Sequence, residues 1–359
     1  MNFIKTTLKI SLVCLLSFIT SCSETDSNES NAYNVPTSYN FENKSYGGQT
    51  DRLNMLAEME TYMKRANLGE AVDAATIKMM YANDGYTWTS DAFALAQPTK
   101  QLESKTFDPA PINALIDELA ELSLTGNTTT SLNGEKTYLF NENGFEPIQL
   151  ISKGIMGSCF YYQGTSVYLS AAKMDVANDV DALVGPLEYT AMQHHFDESF
   201  GYFGAPVAFS NSNTSGGSYW GKYATKTIEG DLTTIDNIMQ DGFILGRAAI
   251  DNDDLKTRDE AIVIIQAEWE MVTVCAALHY LNGAIEDITD PALRNHGLSE
   301  AIAFIDAIKY NAQGTISGSA VDNIIDMLGT NLNVVTPEMI NNTRTALASA
   351  FGITNATAY

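Results

Sequence analysis

The stretch QHHFDESFGYFG, residues 193–204, gathers most of the groups in this chain that could do chemistry: two imidazoles, two carboxylates and several aromatic rings. On a helix, His195 and Glu198 stand three apart and His194 and Glu198 four apart, so each pair shares a face and could meet one ligand. Asp197 stands three from His194. Imidazole with carboxylate suits zinc or iron, and such a pair is half of a transition-metal site. The H-E-x-x-H arrangement, which supplies two imidazoles and a base from one helix, does not occur in the sequence. A structural alternative stays open. Tyr189, Phe196, Phe200 and Phe203 are spaced as the stripe of a buried aromatic face, and a helix ending near Gly201 and Gly204 could use its imidazoles to cap carbonyls or bond the acids.

A third ligand would have to come from a remote helix. His279, with Glu268 or Glu270 on a helix predicted over 256–287, is the candidate. Eleven residues separate Glu268 from His279, about 16 Å along a helix axis, so the two cannot join one mononuclear site. In CAALHYLNG, His279 also reads as a hydrogen-bonded core or helix-end residue. His296, in LRNHGLSE, reads as a solvated residue between helices. Tyr219 and Trp220 are aromatics that could meet a partner or pin their own loop.

The elements that would position these groups are helices. TDRLNMLAEMETYMKRAN carries Leu53, Leu56, Met59 and Met63 on one face, with a start signal at Thr50 and Asp51. Further helices are predicted over 73–83, 110–124, 148–173, 175–200, 227–252, 256–287, 297–312, 318–329 and 336–351. Thr336 before Pro337 and Glu338 is the signature of a capped start. Strand signal is confined to residues 128–140, where Asn133-Gly134 suits a two-residue hairpin turn. The segment 204–226 is too rich in Gly, Ser and Asn for a regular helix. The expected fold is all-α: two packed helical bundles, divided near 204–226, with one small β-hairpin and no solenoid repeat.

The N-terminus reads as an address. Lys5 and Lys9 precede an apolar run too short to span a bilayer. Residues 22–49 are rich in Ser, Asn and Thr, which predicts a flexible tether before a helical domain at 50–359. The formal net charge of −24 repels phosphate backbones and anionic membrane surfaces, which excludes nucleic acid as a partner and favours cations. Cys159 and Cys275 sit in apolar helical surroundings and read as buried free thiols, with one disulfide as the alternative.

Two resemblances add to this. Ile19-Thr20-Ser21-Cys22 resembles the lipobox of bacterial lipoproteins, which implies removal of residues 1–21 and membrane attachment through a lipid on Cys22. The stretches LEYTAMQHHFDESFGYFGAP, GFILGRAAI and AEWEMVTVCAALHYLNGA resemble a group of lipoproteins, mostly from Bacteroidetes, classed as a domain of unknown function and grouped with the imelysins. His195 and Glu198 match the H-x-x-E of the imelysin signature G-x-H-x-x-E, whereas Gln193 stands where that signature has glycine. The resemblance implies two α-helical bundles and an outer-membrane protein, on the periplasmic face or the cell surface. It implies an accessory role in iron, haem or other metal uptake beside an outer-membrane transporter, with iron, zinc or haem as the bound species. The alternatives are a metal-dependent peptidase using the same pair and a glycan-capturing lipoprotein.

Overall fold

Apolar residues at helical spacing build the elements. Leu53, Leu56, Met59 and Met63 are all buried, on α1 (Gly47–Met63). The computed structural model describes residues 33–359, so Cys22 and the expected signal peptide lie outside the described residues. After α1 come α2 (Ala74–Ala82), capped by Asp73, and α3 (Ala110–Ser123), opened by Pro111. The one sheet among the described residues is a hairpin of β1 (Thr129–Thr130) and β2 (Thr137–Tyr138), antiparallel with Thr129 opposite Tyr138.

α4 (Pro147–Ile155) runs directly into a π-helical stretch, Met156–Val167. The wider winding frees carbonyls for side chains of neighbouring helices: Gly164 O accepts from Ser199 Oγ at 2.7 Å, and Thr165 O from Gln266 Nε2 at 2.9 Å. α5 (Ala171–Met174) and α6 (Ala191–Phe203) follow, then three short helices, α7 (Trp220–Ala224), α8 (Lys226–Glu229) and α9 (Thr234–Asp236). A second π-helical stretch, Asn237–Ile244, continues into α10 (Leu245–Asp251). α11 (Leu255–Glu286) is the central rod, long and apolar enough by composition to cross a membrane, yet Trp269, Val272, Val274, Leu278 and Leu281 on it are buried inside the protein. α12 (Pro291–Ala307), α13 (Gly318–Asp326) and α14 (Pro337–Ala350) complete the chain, α12 and α14 packing on α11. The protein is all-α with one small β-hairpin.

Several expectations are corrected. Residues 35–49 are not a tether: Val35–Tyr359 form one compact unit, Tyr39 is fully buried, and α1 begins at Gly47. The segment 204–226, expected as an irregular boundary between bundles, is packed and partly helical: α7 lies in it, and Trp220 is buried and donates to Met156 O at 2.9 Å. The helix expected over 175–200 begins only at Ala191. Before it, Gly185 at φ 121° precedes Pro186, a pair that disfavours helix. The hairpin turn is longer than two residues, since Ser131 N still bonds Lys136 O at 2.8 Å and only Gly134 takes positive φ. Cys159 and Cys275 are buried free thiols, not a disulfide; burial pushes each up to about 12.

A polar pocket and a buried clasp on helix α6

The start of α6 is fixed by a capping box: Thr190 Oγ accepts from Gln193 N at 3.1 Å while Gln193 Oε1 accepts from Thr190 N at 2.8 Å. Its end is fixed by Gly204 in the left-handed conformation, φ 76°. Gly201 lets α6 lie directly on α1. A Cβ there would stand 2.6 Å from Tyr46 Cβ and 2.8 Å from Gln49 Cβ. With both ends and one contact set, the two adjoining faces of α6 point to different surroundings.

One face is closed. Asp197 is fully buried and accepts from Tyr39 Oη at 2.6 Å, Ser45 N at 2.8 Å and Arg247 Nε at 3.0 Å. Arg247 is also fully buried; it bonds Asn43 Oδ1 at 2.7 Å, pairs with Asp251 and lies 5.0 Å over the Phe41 ring. Gln193 Nε2 reaches the same Asp251 at 2.6 Å. Tyr39 stacks on Phe200 at 3.8 Å. The acid and the arginine thus clasp the N-terminal segment 39–45 to α6 and α10.

The other face is open. His194 and Glu198 line a cavity of about 430 Å³ together with residues from 45–52, 100–105, Tyr168 and Tyr189. Glu198 accepts from Gln49 Nε2 at 2.9 Å and stands 3.9 Å from His194 Nε2. His194 Nδ1 meets Ser45 O at 3.0 Å, and because a carbonyl only accepts, that nitrogen carries the proton. Tyr189 stacks on the His194 ring at 4.7 Å. Arg52, only 6% exposed, donates from Nε to Gln101 O at 2.7 Å and from Nη1 to Gly48 O at 3.1 Å. Lys105 Nζ donates to Tyr168 Oη at 3.2 Å. Burial, and then the neighbouring Arg52, hold the Lys105 ammonium below the usual lysine range, with Glu198 opposing. Neither Arg52, Lys100 nor Lys105 has a carboxylate within 4.0 Å among the described residues.

The expected site residues are therefore divided. His194 and Glu198 meet in the cavity. Asp197 does not pair with His194 but belongs to the buried clasp. His195 turns the other way, its Nδ1 bonding Lys173 O at 2.8 Å beside Tyr168, so the H-x-x-E pair does not share this cavity. Glu268 accepts from Asn237 at 2.8 Å, His279 pairs with Glu229 at 2.9 Å, and Glu270 holds Thr315, all away from α6. No group of three or more His, Cys, Asp or Glu able to hold a metal ion occurs among the described residues, so the described side chains do not by themselves fit a bare zinc or iron centre. His296, expected in a loop, lies inside α12, stacked on Tyr138 and bonded to Glu146 at 2.6 Å. The residues missed were Arg52, Lys100 and Lys105. A signal existed for the first: Arg52 occupies the buried stripe of α1 with Leu56, Met59 and Met63, where an unpaired charge is out of place.

The family model described as a domain of unknown function, DUF4856, matches residues 36–354. Comparison with curated proteins and with solved structures returned no match. Since the family match spans nearly all of the compact unit, and with it both faces of α6, the chain belongs to the DUF4856 family.

Proposed function

We propose that this protein is a cell-envelope lipoprotein that binds a ligand in the α6 cavity and hands it to an outer-membrane transporter without turning it over. The observation that carries the binding role is the unequal satisfaction of the two faces of α6. Around Asp197 every charge has a partner. Around Glu198, polar side chains from several chain segments converge on open space and leave cations unpaired, an arrangement typical of a ligand pocket rather than of a core. The envelope location rests on Ile19-Thr20-Ser21-Cys22.

The role in iron, haem or metal uptake rests on the imelysin resemblance. With only His194 and Glu198 in the cavity, a metal would travel as a complex with its own chelator. The peptidase alternative would need a third ligand beside that pair, and neither His279 nor Glu268 lines the cavity.

Two experiments test the proposal. Full-length protein purified in mild detergent should release one co-purifying small molecule in near-stoichiometric amount on denaturation, and Glu198→Gln should retain less of it. A protein that carries nothing, and whose unfolding midpoint no anionic, neutral or cationic metabolite moves, would contradict the binding role. Cys22→Ala should leave the membrane fraction; a variant that still partitions like the parent would contradict the anchor.

A further inference from the structure

Resting on the reading of the α6 cavity as a ligand site, we propose that its ligand carries a small oxyanion group of two negative charges, a phosphate or a pair of carboxylates. The lining states the charge. Arg52, Lys100 and Lys105 contribute three cations, and Glu198 is the one lining carboxylate. A local excess of two positive charges stands in a chain whose net charge is −24. A chance distribution would surround those cations with acids; here none approaches within 4.0 Å. Asp51 feels Lys100 and Arg52 but does not line the cavity.

Arg52 carries the argument furthest. A guanidinium that is 6% exposed is costly to bury without a counter-charge. Its Nε and Nη1 are occupied by the carbonyls of Gln101 and Gly48, while Nη2 donates to nothing among the described residues. The side chain is thus held rigidly at the cavity wall with a donor to spare, as the anchor of an oxyanion would be. Lys105 is set beside it by its bond to Tyr168, two like charges that repel until an anion sits between them.

Lys100 lies across the first turn of α1. Gly48 makes room for it, since a Cβ there would stand 2.8 Å from Lys100 Cε. That turn has no side-chain cap and no acidic residue, so its free N–H groups add to the same positive field. Glu198 is already held by Gln49, with the His194 ring 3.9 Å away. Its field already offsets part of the Lys105 charge, which leaves the excess of two positive charges for the ligand, and its oxygens are placed to accept from a hydroxyl or amine on it.

The test uses the full-length protein in detergent, with inorganic phosphate and succinate as probes and spermidine and glucose for contrast, read by calorimetric titration and by the unfolding midpoint. At least one of the two anions should bind saturably and raise the midpoint. Lys105→Gln and Lys100→Gln should each weaken that binding tenfold or more while leaving the unliganded midpoint unchanged or higher; Arg52→Gln should abolish it. Lys256→Gln, a lysine on the exposed start of α11, should bind as the parent does. Phosphate alone, or succinate alone, would support the proposal and name the source of the oxyanion. Anion binding that survives both lysine substitutions would overturn it as adventitious. Binding of spermidine or glucose instead, lost in Glu198→Gln, would overturn the ligand class and leave the binding site standing. Silence from every compound would remove the site as well.

Discussion

Asp197 and Glu198 are neighbours in sequence and about 100° apart around one helix, yet they live in opposite regimes. Asp197 is sealed, with Arg247, Tyr39 and the Ser45 amide meeting its oxygens. Glu198 faces a cavity beside cations that nothing pairs. Acidic side chains close together in a motif need not share a role. The clasp spends its polar groups on joining chain segments, whereas the pocket leaves them free: Gly201 lets α6 lie on the start of α1, and Gly48 leaves room there for the Lys100 side chain.

The largest effect should come from breaking the clasp. Arg247→Met strands a fully buried carboxylate and should cost about 3–5 kcal/mol in urea unfolding; a loss under about 1 kcal/mol would mean that Asp197 is satisfied without it. Next is Gly201→Ala, whose Cβ would collide with Tyr46 and Gln49. It should cost roughly 1–3 kcal/mol and also impair ligand binding, because Gln49 holds Glu198. Full stability in that variant would show that α1 and α6 can part freely. Tyr39→Phe removes one of three donors to Asp197 and should cost about 1.5 kcal/mol, with ligand binding untouched.

A smaller, pH-dependent effect lies in a third polar cluster. Burial alone would push the His296 imidazole down, but its hydrogen bond to Glu146 and the fields of Glu146 and Glu300 outweigh that and the opposing Lys153, so it is raised. A histidine raised above its unfolded value of about 6.5 stabilises the fold fully below that pH, and this contribution is lost as pH rises through the folded value. His296→Gln should therefore flatten the decline of stability above about pH 6.5. An unchanged slope would assign that decline to other groups.

The fold was legible because it is written in periodicity. The stripe of α1 and the apolar length of α11 are local patterns, and the structure follows them. The boundaries were less so. Residues 175–190 carry apolar positions that mimic a helix, while the real start was announced by Thr190 and Gln193, three apart in a capping box. The tether misled because composition averages over a window. Tyr39 and Phe41, two of the four aromatics in the polar tract 22–49, are both buried and anchor the stretch just before α1.

Half of the candidate site could be read from QHHFDESFGYFG. His194 and Glu198 meet as their four-residue spacing implied. Which imidazole would do so was not written in the sequence, because it depends on which face of α6 meets α1. Lys100 and Lys105 could not be found, since they come from an irregular stretch far from α6 in sequence and only tertiary packing brings them to it. His296 misled for a similar reason: its partner Glu146 is 150 residues away.

The division of α6 into a structural and a binding face is tested most directly by unfolding Asp197→Asn and Glu198→Gln side by side in urea, without ligand. Asp197→Asn should lose at least about 2 kcal/mol, while Glu198→Gln, which keeps an oxygen for Gln49, should stay within about 1 kcal/mol of the parent. Equal losses in the two variants would contradict the division, and a larger loss in Glu198→Gln would reverse it.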